Sequence, residues 1–406
     1  MALKYLDQLD LKDKRVVARF DFNVPLKEGR KKMVISDSTR IDLALDTIRF
    51  ILDQGASKLV LMSHLGRPKG KRVDSMSLEP VADYLAKELG KDVILTESCT
   101  DRGIKTVLGL STTKIVLLEN LRFHNEEVNN DPDFAKTLAS YGDVYINDAF
   151  GAAHRKHASV HAINLFFKNK AAAGFLMQKE LKALDKVLHK PSKPFVAVIG
   201  GAKVSDKIKI IEALLPKIDQ LIIGGAMAYP FLAAKGIEIG DSLCPAEDVN
   251  LAKNILKAAG ADKISLPKDH IVATSLDDPS PKQHSQISIE PGHMALDIGE
   301  NTLADYGSKI TRAKTVLWNG PMGMFEKEAF SKGTFGMARA LAELSSRDPE
   351  AFTLVGGGDS VSAIKKAGLA DKVSHVSTGG GASLEYIEKG SLPGVQALRF
   401  GLESTN

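Results

Sequence analysis

The stretch 195–210, FVAVIGGAKVSDKIKI, constrains the fold of this chain more than any other. Its first five residues, Phe195–Ile199, are all apolar and include β-branched side chains, which predicts a strand buried on both faces. Gly200 and Gly201 then allow a tight turn and a close approach of the backbone to a ligand. From Lys203 onward the apolar residues recur at helical spacing, so a helix is predicted to follow the turn.

Two lysines at the predicted helix start suggest what this turn binds. Lys203 and Lys207 are four residues apart and would share one face of the helix. Cations oppose the helix macrodipole at this end, so an anionic ligand would offset their cost. The free N–H groups of such a turn already form an anion site, and with two lysines they predict a phosphate site. An ordinary turn with solvated lysines is the alternative.

Length, composition and charge set the outer limits. The 406 residues favour two domains, and 44% hydrophobic with 26% charged residues is typical of a globular protein with an ample core. Residues 1–180 carry 28 Lys and Arg against 24 Asp and Glu, a balance of +4, whereas the remainder carries 26 of each. This excess is too small for a nucleic-acid-binding surface, but it suits a small anionic substrate bound by the first half.

The number of cysteines and the lengths of the apolar runs indicate the cellular compartment of the protein. Cys99 and Cys244 are too few and too far apart in sequence to indicate a disulfide scaffold. The N-terminal MALKYLDQLD has no signal-peptide core, and the longest apolar run, 221–234, is interrupted by Gly and Pro and is too short to span a bilayer. We therefore expect a cytoplasmic protein that does not associate with membranes.

Apolar runs of strand length alternate with stretches of helical period along the whole chain. In the first half they are 16–20, 58–62, 93–95, 115–118 and 144–146. In the second half they are 195–199, 221–223, 271–274, 316–318, 352–355 and 373–376. Such alternation predicts parallel sheets with right-handed crossovers, and two sets of runs predict an α/β protein with two doubly wound, Rossmann-like domains.

A helix is predicted to join the two domains. Residues 174–190 have helical period, and Pro191 and Pro194 then end the pattern. We place the domains at 1–180 and 181–390. The segment 391–406 contains no further strand and helix pair, so it is expected to pack back on the first domain.

Glycine loops recur after predicted strands of the second half, at 356–360 and 377–383. In open α/β sheets ligands bind outside the carboxyl ends of the strands, which is where these loops would lie. Asp359 would repel phosphates unless a cation lay between them, so it predicts a Mg²⁺ site, with a plain N-cap as the alternative. No Walker G-x-x-x-x-G-K-[ST] is present, which excludes a Walker-type NTPase, and no G-x-G-x-x-G follows a strand, which argues against a dinucleotide dehydrogenase.

Arginines and histidines follow the predicted strands of the first half. They are Arg40, His64, Arg67, Arg122, His124, His154 and Arg155, with Asp21 and Asn23 nearby. Arginine forms bidentate bonds to both carboxylate and phosphate, so four arginines at one sheet edge predict a ligand that carries both groups. Each arginine taken singly could instead be a surface ion-pair partner. His124, His157 and His161 are interpreted as structural or solvent-facing rather than metal-binding.

Eight motifs give the chain a resemblance to a known family. ARFDFNVPL, SHLGRP, LLENLRFH, NDAFGAAHR, GGAKVSDK, WNGPMGMFE, GGGDS and STGGGASLE occur in the order of the phosphoglycerate kinase family, and they span roughly residues 15 to 395. Phe20 stands where the family often has Val, and Ala152 occupies a variable position. Neither departure changes a charged or hydrogen-bonding group.

The resemblance implies a reaction. A phosphoryl group would pass reversibly from 1,3-bisphosphoglycerate to Mg-ADP, giving 3-phosphoglycerate and ATP, as in glycolysis and gluconeogenesis. Transfer would be direct and in line, in a cleft between the two domains after they close. The resemblance also implies a monomer that binds no nucleic acid.

The resemblance carries over to individual residues. The implied triose-binding residues are Asp21, Phe22, Asn23, Arg40, His64, Leu65, Gly66, Arg67, Arg122 and Arg155. The implied nucleotide-binding residues are Gly201, Lys203, Lys207, Gly225, Gly299, Asn319, Pro321, Glu326, Gly356, Gly357, Gly358, Asp359 and Ser360. Among these, Arg40, Lys203 and Lys207 would be catalytic, Asp359 would bind the metal, and Glu326 would bind the ribose hydroxyls.

The chemistry of this reaction fits the residues present. In the reverse direction the attacking carboxylate is already ionised at neutral pH, so no general base is needed and the remaining tasks are positioning and charge neutralisation. Another two-domain kinase for a small carboxylate is one alternative, but it would not need SHLGRP and NDAFGAAHR together. A non-catalytic nucleotide-binding or scaffold protein is another, and the retained lysines, arginines, Glu326 and Asp359 argue against it.

Overall fold

The computed structural model of the chain describes residues 2–30, 32–259 and 263–402. The chain divides into two compact units, one formed by Met1–Leu181 with Ser391–Asn406 and the other by Lys182–Gly390. Each unit contains a six-stranded parallel sheet, so the predicted α/β class with two doubly wound sheets is confirmed. None of the described helices is long and apolar enough to cross a bilayer.

The strands of the first unit form one parallel sheet and one small hairpin. They are β1 (Arg15–Arg19), β2 (Leu26–Glu28), β3 (Met33–Ile35), β4 (Lys58–Met62), β5 (Val93–Leu95), β6 (Ile115–Leu117), β7 (Val144–Asn147) and β8 (Ala171–Ala173). The sheet order is β5-β6-β4-β1-β7-β8, while β2 and β3 pair as an antiparallel hairpin. All five residues of β4 are buried, as expected for a strand covered on both faces. The strand β8 and the hairpin were not predicted.

Helices cover this sheet and connect it to the second unit. They are α1 (Thr39–Asp42), α2 (Leu45–Asp53), α3 (Glu79–Leu89), α4 (Gly103–Gly109), α5 (Asn125–Val128), α6 (Pro132–Ala139) and α7 (Phe175–Leu188). Ile48 and Ile51 of α2 and Leu85 of α3 pack into one buried cluster with Val16 and Leu59 of the sheet. The helix predicted at 174–190 is confirmed as α7.

The strands of the second unit form two sheets. They are β9 (Phe195–Ile199), β10 (Gln220–Ile223), β11 (Ile264–Ser265), β12 (His270–Ala273), β13 (Lys282–His284), β14 (Met294–Ile298), β15 (Thr315–Asn319), β16 (Phe352–Gly356) and β17 (His375–Val376). The parallel sheet has the order β11-β10-β9-β15-β16-β17, and β12, β13 and β14 form a separate antiparallel sheet. The prediction that 271–274 joins the main sheet was therefore wrong. The sixth strand is β11, whose two residues are too few to give a pattern.

The helices of the second unit are α8 (Ile208–Leu214), α9 (Ala228–Ala234), α10 (Ala246–Ala259), α11 (Glu300–Thr311), α12 (Lys332–Arg347), α13 (Gly358–Lys366) and α14 (Gly381–Lys389). The prediction of a helix from Lys203 was wrong, because α8 begins five residues later. The N–H groups of Val204 and Ser205 donate to the buried carboxylate of Asp248, at 3.1 and 3.0 Å, and this holds the segment before α8 as a turn.

A last helix, α15 (Pro393–Phe400), belongs to the first unit. The N–H of Gly394 donates to the carbonyl of Ala153 at 2.9 Å, and a side chain at Gly394 would collide with Val160. Of the segment predicted at 391–406, residues 403–406 lie outside the described residues.

Candidate active site

The first unit brings a set of predicted residues to the carboxyl ends of β1 and β4, which are neighbours in the sheet. The N–H of Phe22 donates to Ser63 Oγ at 2.8 Å. The N–H of Gly66 donates to Asn23 Oδ1, also at 2.8 Å. These two bonds join the loops that follow β1 and β4, so Asp21, Phe22 and Asn23 lie beside His64, Leu65 and Gly66.

Three of the predicted arginines have different surroundings at this edge. Arg40 Nη1 donates to Asp21 Oδ2 at 2.7 Å, in a half-buried ion pair. Arg122 is buried, and its Nη1 donates to the carbonyl of Gly66 at 2.8 Å. Arg67 is exposed and has no hydrogen-bond or ion-pair partner among the residues that the structure describes. Arg122 therefore supports the loop, whereas Arg67 is free to contact a ligand.

The edge is strongly cationic. Burial, Arg19 and Arg155 together lower the pKa of Arg122 to about 10. Arg155 is half-buried, and its Nε donates to Nε2 of His154 at 3.2 Å. Burial also lowers the pKa of His64 well below its ordinary value, with Arg19 as the next cause. Glu127 and Asp21 offset this repulsion only in part, so the cluster suits an anionic ligand, whose negative charge would stabilise the cations further.

Glycines allow three loops of the second unit to touch. The N–H groups of Gly200 and Gly201 donate to the carbonyls of Asn319 and Pro321, at 2.9 and 3.2 Å. A Cβ at Gly200 would lie 2.1 Å from the Pro321 carbonyl oxygen, so only glycine fits there. Gly225 has a φ of +67°, and its N–H donates to the carbonyl of Met322 at 3.0 Å. Gly201, Gly225 and Pro321 are thus brought together.

These loops surround a cavity of about 600 Å³. Five predicted residues line it, namely Gly201, Gly225, Pro321, Glu326 and Asp359. Sequence reasoning missed the rest of its wall, which is mostly apolar and includes Tyr229, Leu243, Leu276, Met294, Ala295, Leu296, Met322 and Met324. These residues come from α9, from β14 and from separate loops, and no spacing in the sequence marks them as neighbours.

Gly299 is not brought to this cavity. It is the N-cap residue of α11, and its N–H donates to the carbonyl of Asp269 at 2.9 Å. It lines a different cavity of about 520 Å³, together with Gln283 and Glu300. Within the second unit, Gly299 thus stands apart from the other predicted nucleotide-binding residues.

Lys207 is tied to the glycine loop through Asn319. Lys207 Nζ donates to Asn319 Oδ1 at 2.6 Å, and Asn319 Nδ2 donates to the carbonyl of Gly356 at 2.7 Å. Ser360 Oγ accepts from the N–H of Gly320 at 2.5 Å. Burial lowers the pKa of Lys207, and among the nearby carboxylates the charge of Asp359 opposes this shift most. Lys203, in contrast, is exposed.

Asp359 lies at the second position of α13, whose N-cap residue is Gly357. The alternative to the Mg²⁺ site, in which Asp359 is a plain N-cap, was therefore wrong. Its side chain is exposed and lines the cavity, close to where the N–H groups of the first helical turn are free. No cluster of three or more metal-binding side chains occurs in the described part of the chain.

One sheet has a crowded cationic edge, and the other has glycine loops with free N–H groups beside a lysine. Both arrangements are suited to binding phosphoryl compounds for transfer. The fold and these two edges define an α/β phosphotransferase. Comparison with known proteins narrows this class. The family model described as phosphoglycerate kinase matches residues 6–390.

Curated relatives and solved structures agree with this match. The phosphoglycerate kinases of Moorella thermoacetica and of an Anaeromyxobacter species are each 50% identical to the chain, across 98% of it and 99% and 100% of their own lengths. The phosphoglycerate kinase structure from Coxiella burnetii has a TM-score of 0.87 at 39% identity, covering 98% of this chain and 99% of that one. The structure from Pyrococcus horikoshii has a TM-score of 0.80 at 31% identity, covering 98% of both.

The chain belongs to the phosphoglycerate kinase family. The family consists of glycolytic transferases that move a phosphoryl group between 1,3-bisphosphoglycerate and ADP, to or from a carboxyl group.

Proposed function

We propose that this chain is a phosphoglycerate kinase in which the cationic edge of the first unit binds the triose and the glycine-lined cavity of the second unit binds the nucleotide. The observation that carries this assignment is the segregation of the side chains. The arginines collect at one sheet edge, while Lys207, Asp359 and the glycine loops collect at the other.

At the triose site the free cations bind the anionic ends of the ligand. Arg67 and Arg155 take its phosphate and carboxylate oxygens by charge-assisted hydrogen bonds. Asp21, Asn23 and His64 contact its polar middle. Arg40 reaches the group in transfer, and its ion pair with Asp21 gives its guanidinium a defined starting position. Phe22, Leu65, Gly66 and Arg122 shape the loop walls around the ligand.

At the nucleotide site the apolar wall packs on the base and the glycine loops face the phosphates. Leu243, Leu276 and Met294 supply apolar surface in the cavity, where Glu326 accepts hydrogen bonds from the ribose hydroxyls. The N–H groups of residues 356–360 at the start of α13 bind phosphate oxygens. Gly299 is not part of this proposed site, because it faces a different cavity.

The metal site fits Mg²⁺. One exposed carboxylate, Asp359, is what Mg²⁺ uses when nucleotide phosphates supply its other oxygen ligands, and the free N–H groups at the start of α13 would bind those phosphates. When bound, Mg²⁺ neutralises charge on the phosphates. Asp359 would hold the cation, and the charge of this carboxylate also acts on Lys207.

Transfer needs positioning and charge neutralisation rather than proton chemistry. In the direction that consumes ATP, the triose carboxylate, which is ionised at neutral pH, attacks the terminal phosphorus in line while the bond from that phosphorus to the ADP oxygen breaks. Lys203 binds the nucleotide phosphates, and Lys207 and Arg40 neutralise the phosphoryl group in flight. Direct transfer requires the two ligands to meet, so the domains must close around them, which also excludes water that would hydrolyse the acyl phosphate. We propose further that the protein works as a cytoplasmic monomer, as family membership suggests.

One assay separates this function from its alternatives. The protein should form ATP from ADP and 1,3-bisphosphoglycerate, and ATP formation should require Mg²⁺. A kinase for another carboxylate would turn over a different acyl phosphate faster, and a non-catalytic binding protein would turn over none. Either result would overturn the proposal. The oligomeric state follows from sedimentation at the concentration of the assay.

A further inference from the structure

Arg19 is a buried cation at the triose-site edge that sequence reasoning did not single out. It is the last residue of β1, and its parallel partner in β4 is Met62, two residues before His64. Its side chain is fully buried, at 0% exposed. A buried arginine needs partners for its donors, because an unpaired buried charge is very costly.

The partners of Arg19 fix its guanidinium in one position. Its Nε donates to Ser159 Oγ at 2.9 Å, one terminal nitrogen donates to the carbonyl of Phe20, and the other lies 2.9 Å from Nδ1 of His64. Ser159 Oγ in turn donates to Glu127 Oε1 at 2.7 Å, and the N–H of Ser159 donates to Glu127 Oε2 at 2.9 Å. The buried carboxylate of Glu127 thus balances Arg19 through Ser159.

The contact between Arg19 and His64 determines where the imidazole carries its proton. A guanidinium has only donors and is never deprotonated in proteins. Nδ1 of His64 must therefore accept, which leaves the ring neutral with its proton on Nε2. No described group hydrogen-bonds to Nε2, and Nε2 is not among the buried polar atoms without a partner, so this donor reaches solvent.

We propose that Arg19 is a positioning residue that holds His64 as the neutral Nε2–H tautomer, so that the triose site contains an uncharged hydrogen-bond donor among its arginines. Nε2–H can only be matched by an acceptor, such as a hydroxyl, carboxylate or phosphate oxygen of the ligand. The assignment of that ligand as 3-phosphoglycerate rests on the proposed function. The tautomer does not.

The charges around His64 support this state. Arg19, Arg122 and Arg40 are the cations whose charge acts on the ring. Each disfavours a second proton on the imidazole, as does its burial, at 5% exposed. His64 therefore gives the site a directional hydrogen-bond donor without adding to the repulsion among its cations.

The first test measures the tautomer in the ligand-free protein. Spectra of ¹⁵N-histidine-labelled protein, with the His64→Gln variant to identify its signals, should show His64 protonated at Nε2 only, without change from about pH 5.5 to pH 8. Arg19→Met, which keeps an unbranched apolar stem, shorter than that of arginine, and removes the donors, should mix the tautomers and let His64 titrate. A parent His64 that is protonated at Nδ1, or at both nitrogens at neutral pH, would overturn the proposal without any variant.

Arg15→Met is the matched control. Arg15 begins the same strand and pairs with Asp143 at the opposite end of the sheet, so its loss should leave the His64 signals unchanged. Arg19→Lys keeps the charge but offers one ammonium in place of the three-way fork, and it should also release the tautomer. Backbone amide spectra of each variant report whether the fold is retained.

The second test measures what the tautomer does for the ligand. Arg19→Met should weaken 3-phosphoglycerate binding roughly 10- to 100-fold, while Mg-ADP binding stays the same. His64→Gln, whose amide can donate from the place of Nε2, should bind more tightly than His64→Leu. If Arg67→Ala weakens binding but Arg19→Met does not, the positioning role is wrong. If neither weakens binding, the proposed triose site is wrong instead.

Discussion

Individual arginines at the cationic edge have different roles, and the contacts of each side chain indicate its role. Arg122 is buried and bonded to the Gly66 carbonyl, so removing it would damage the loop as well as any ligand contact. Arg67 is exposed and unpaired among the described residues, so its removal changes only what it binds. Tests of ligand binding are cleaner at Arg67 and Arg155 than at Arg122.

Loss of Arg67 or Arg155 should weaken triose binding and spare nucleotide binding. Each alanine variant removes a charged hydrogen bond to the ligand, which should cost roughly 1.5–3 kcal/mol of 3-phosphoglycerate binding. Mg-ADP affinity should be nearly unchanged, since its proposed site is in the other unit. Titration calorimetry with each ligand measures both. An equal loss for the two ligands would contradict the assignment of two separate sites.

Asp359→Asn should raise the Mg²⁺ requirement of the reaction while the fold is retained. The amide keeps the size of the carboxylate but removes the charge that holds the cation. Because the N-cap residue of α13 is Gly357, no cap is lost with the charge. The rate as a function of Mg²⁺ concentration, at fixed ADP, measures the effect. A curve identical to that of the parent would mean that Asp359 does not bind the metal.

Lys207→Ala should lower kcat by on the order of 10²–10³ and change Mg-ADP affinity much less. In the free protein Lys207 Nζ rests on Asn319 Oδ1, beside the glycine loop, and so can move to the phosphoryl group in transfer. Lys203→Ala should mainly raise KM for the nucleotide, since exposed Lys203 binds phosphates already in the ground state. If Lys207→Ala loses nucleotide affinity but keeps kcat, the two roles are reversed.

At the scale of elements, periodicity predicted the helices and strands whose pattern of side chains lies within one continuous segment. Buried strands such as β4 and β9, and the amphipathic α7, follow from patterns of side chains within each segment. The start of α8 could not be predicted this way, since it depends on Asp248, which lies more than 40 residues away and binds the turn before the helix. The spacing of Lys203 and Lys207 was therefore misread as a helical face.

Some residues of the candidate site could be predicted from local sequence, and others could not. Motif residues such as Asn23, Lys207 and Asp359 stand at the ends of recognisable strands or in glycine loops. Met294 and Leu296 line the cavity from a strand of the antiparallel sheet, and Arg19 contacts His64 from the end of a strand whose residues are mostly apolar. Which distant residues come into contact is set by tertiary packing, and a pattern along the sequence does not contain that information.

The turn before α8 gives a prediction for the element. Asp248→Ala removes the acceptor for the N–H groups of Val204 and Ser205, so the turn should loosen and Lys207 should lose its position. We expect kcat to fall roughly 10-fold, with 3-phosphoglycerate affinity unchanged. The adjacent, exposed Glu247 provides the control, and Glu247→Ala should have parent kinetics. Equal kinetics for both variants would show that the turn is held by other contacts.

At the scale of the whole molecule, each unit contains a carboxyl group that burial keeps protonated to unusually high pH. Asp148, which accepts from the N–H of Met177 in α7, has its pKa raised to about 6. Asp297, which accepts from the N–H of Gly333 in α12, has its pKa raised to about 7. Both therefore make the stability of their own unit depend on pH near neutrality.

For Asp297 the sign of this dependence is fixed by its pKa. An unfolded aspartate titrates near pH 4, so the contribution of Asp297 to stability is fully present below about pH 4 and is lost as the pH rises through about 7. Between about pH 5.5 and pH 8 this amounts to about 2 kcal/mol. Asp297→Asn keeps an acceptor for Gly333 but cannot ionise, so the variant should lose that part of the pH dependence.

Trp318 allows the pH dependence of stability to be measured for the second unit alone. It is the single tryptophan of the sequence and is buried in the core of the second unit, so its fluorescence in urea follows the unit that contains Asp297. Compared with the parent, Asp297→Asn should gain stability at pH 8 relative to pH 5.5. Asp148→Asn, in the other unit, should leave the pH dependence of the Trp318 transition as it is in the parent. Because other groups titrate alike in parent and variant, a parent-like pH dependence in Asp297→Asn would show that Asp297 ionises normally in the folded protein.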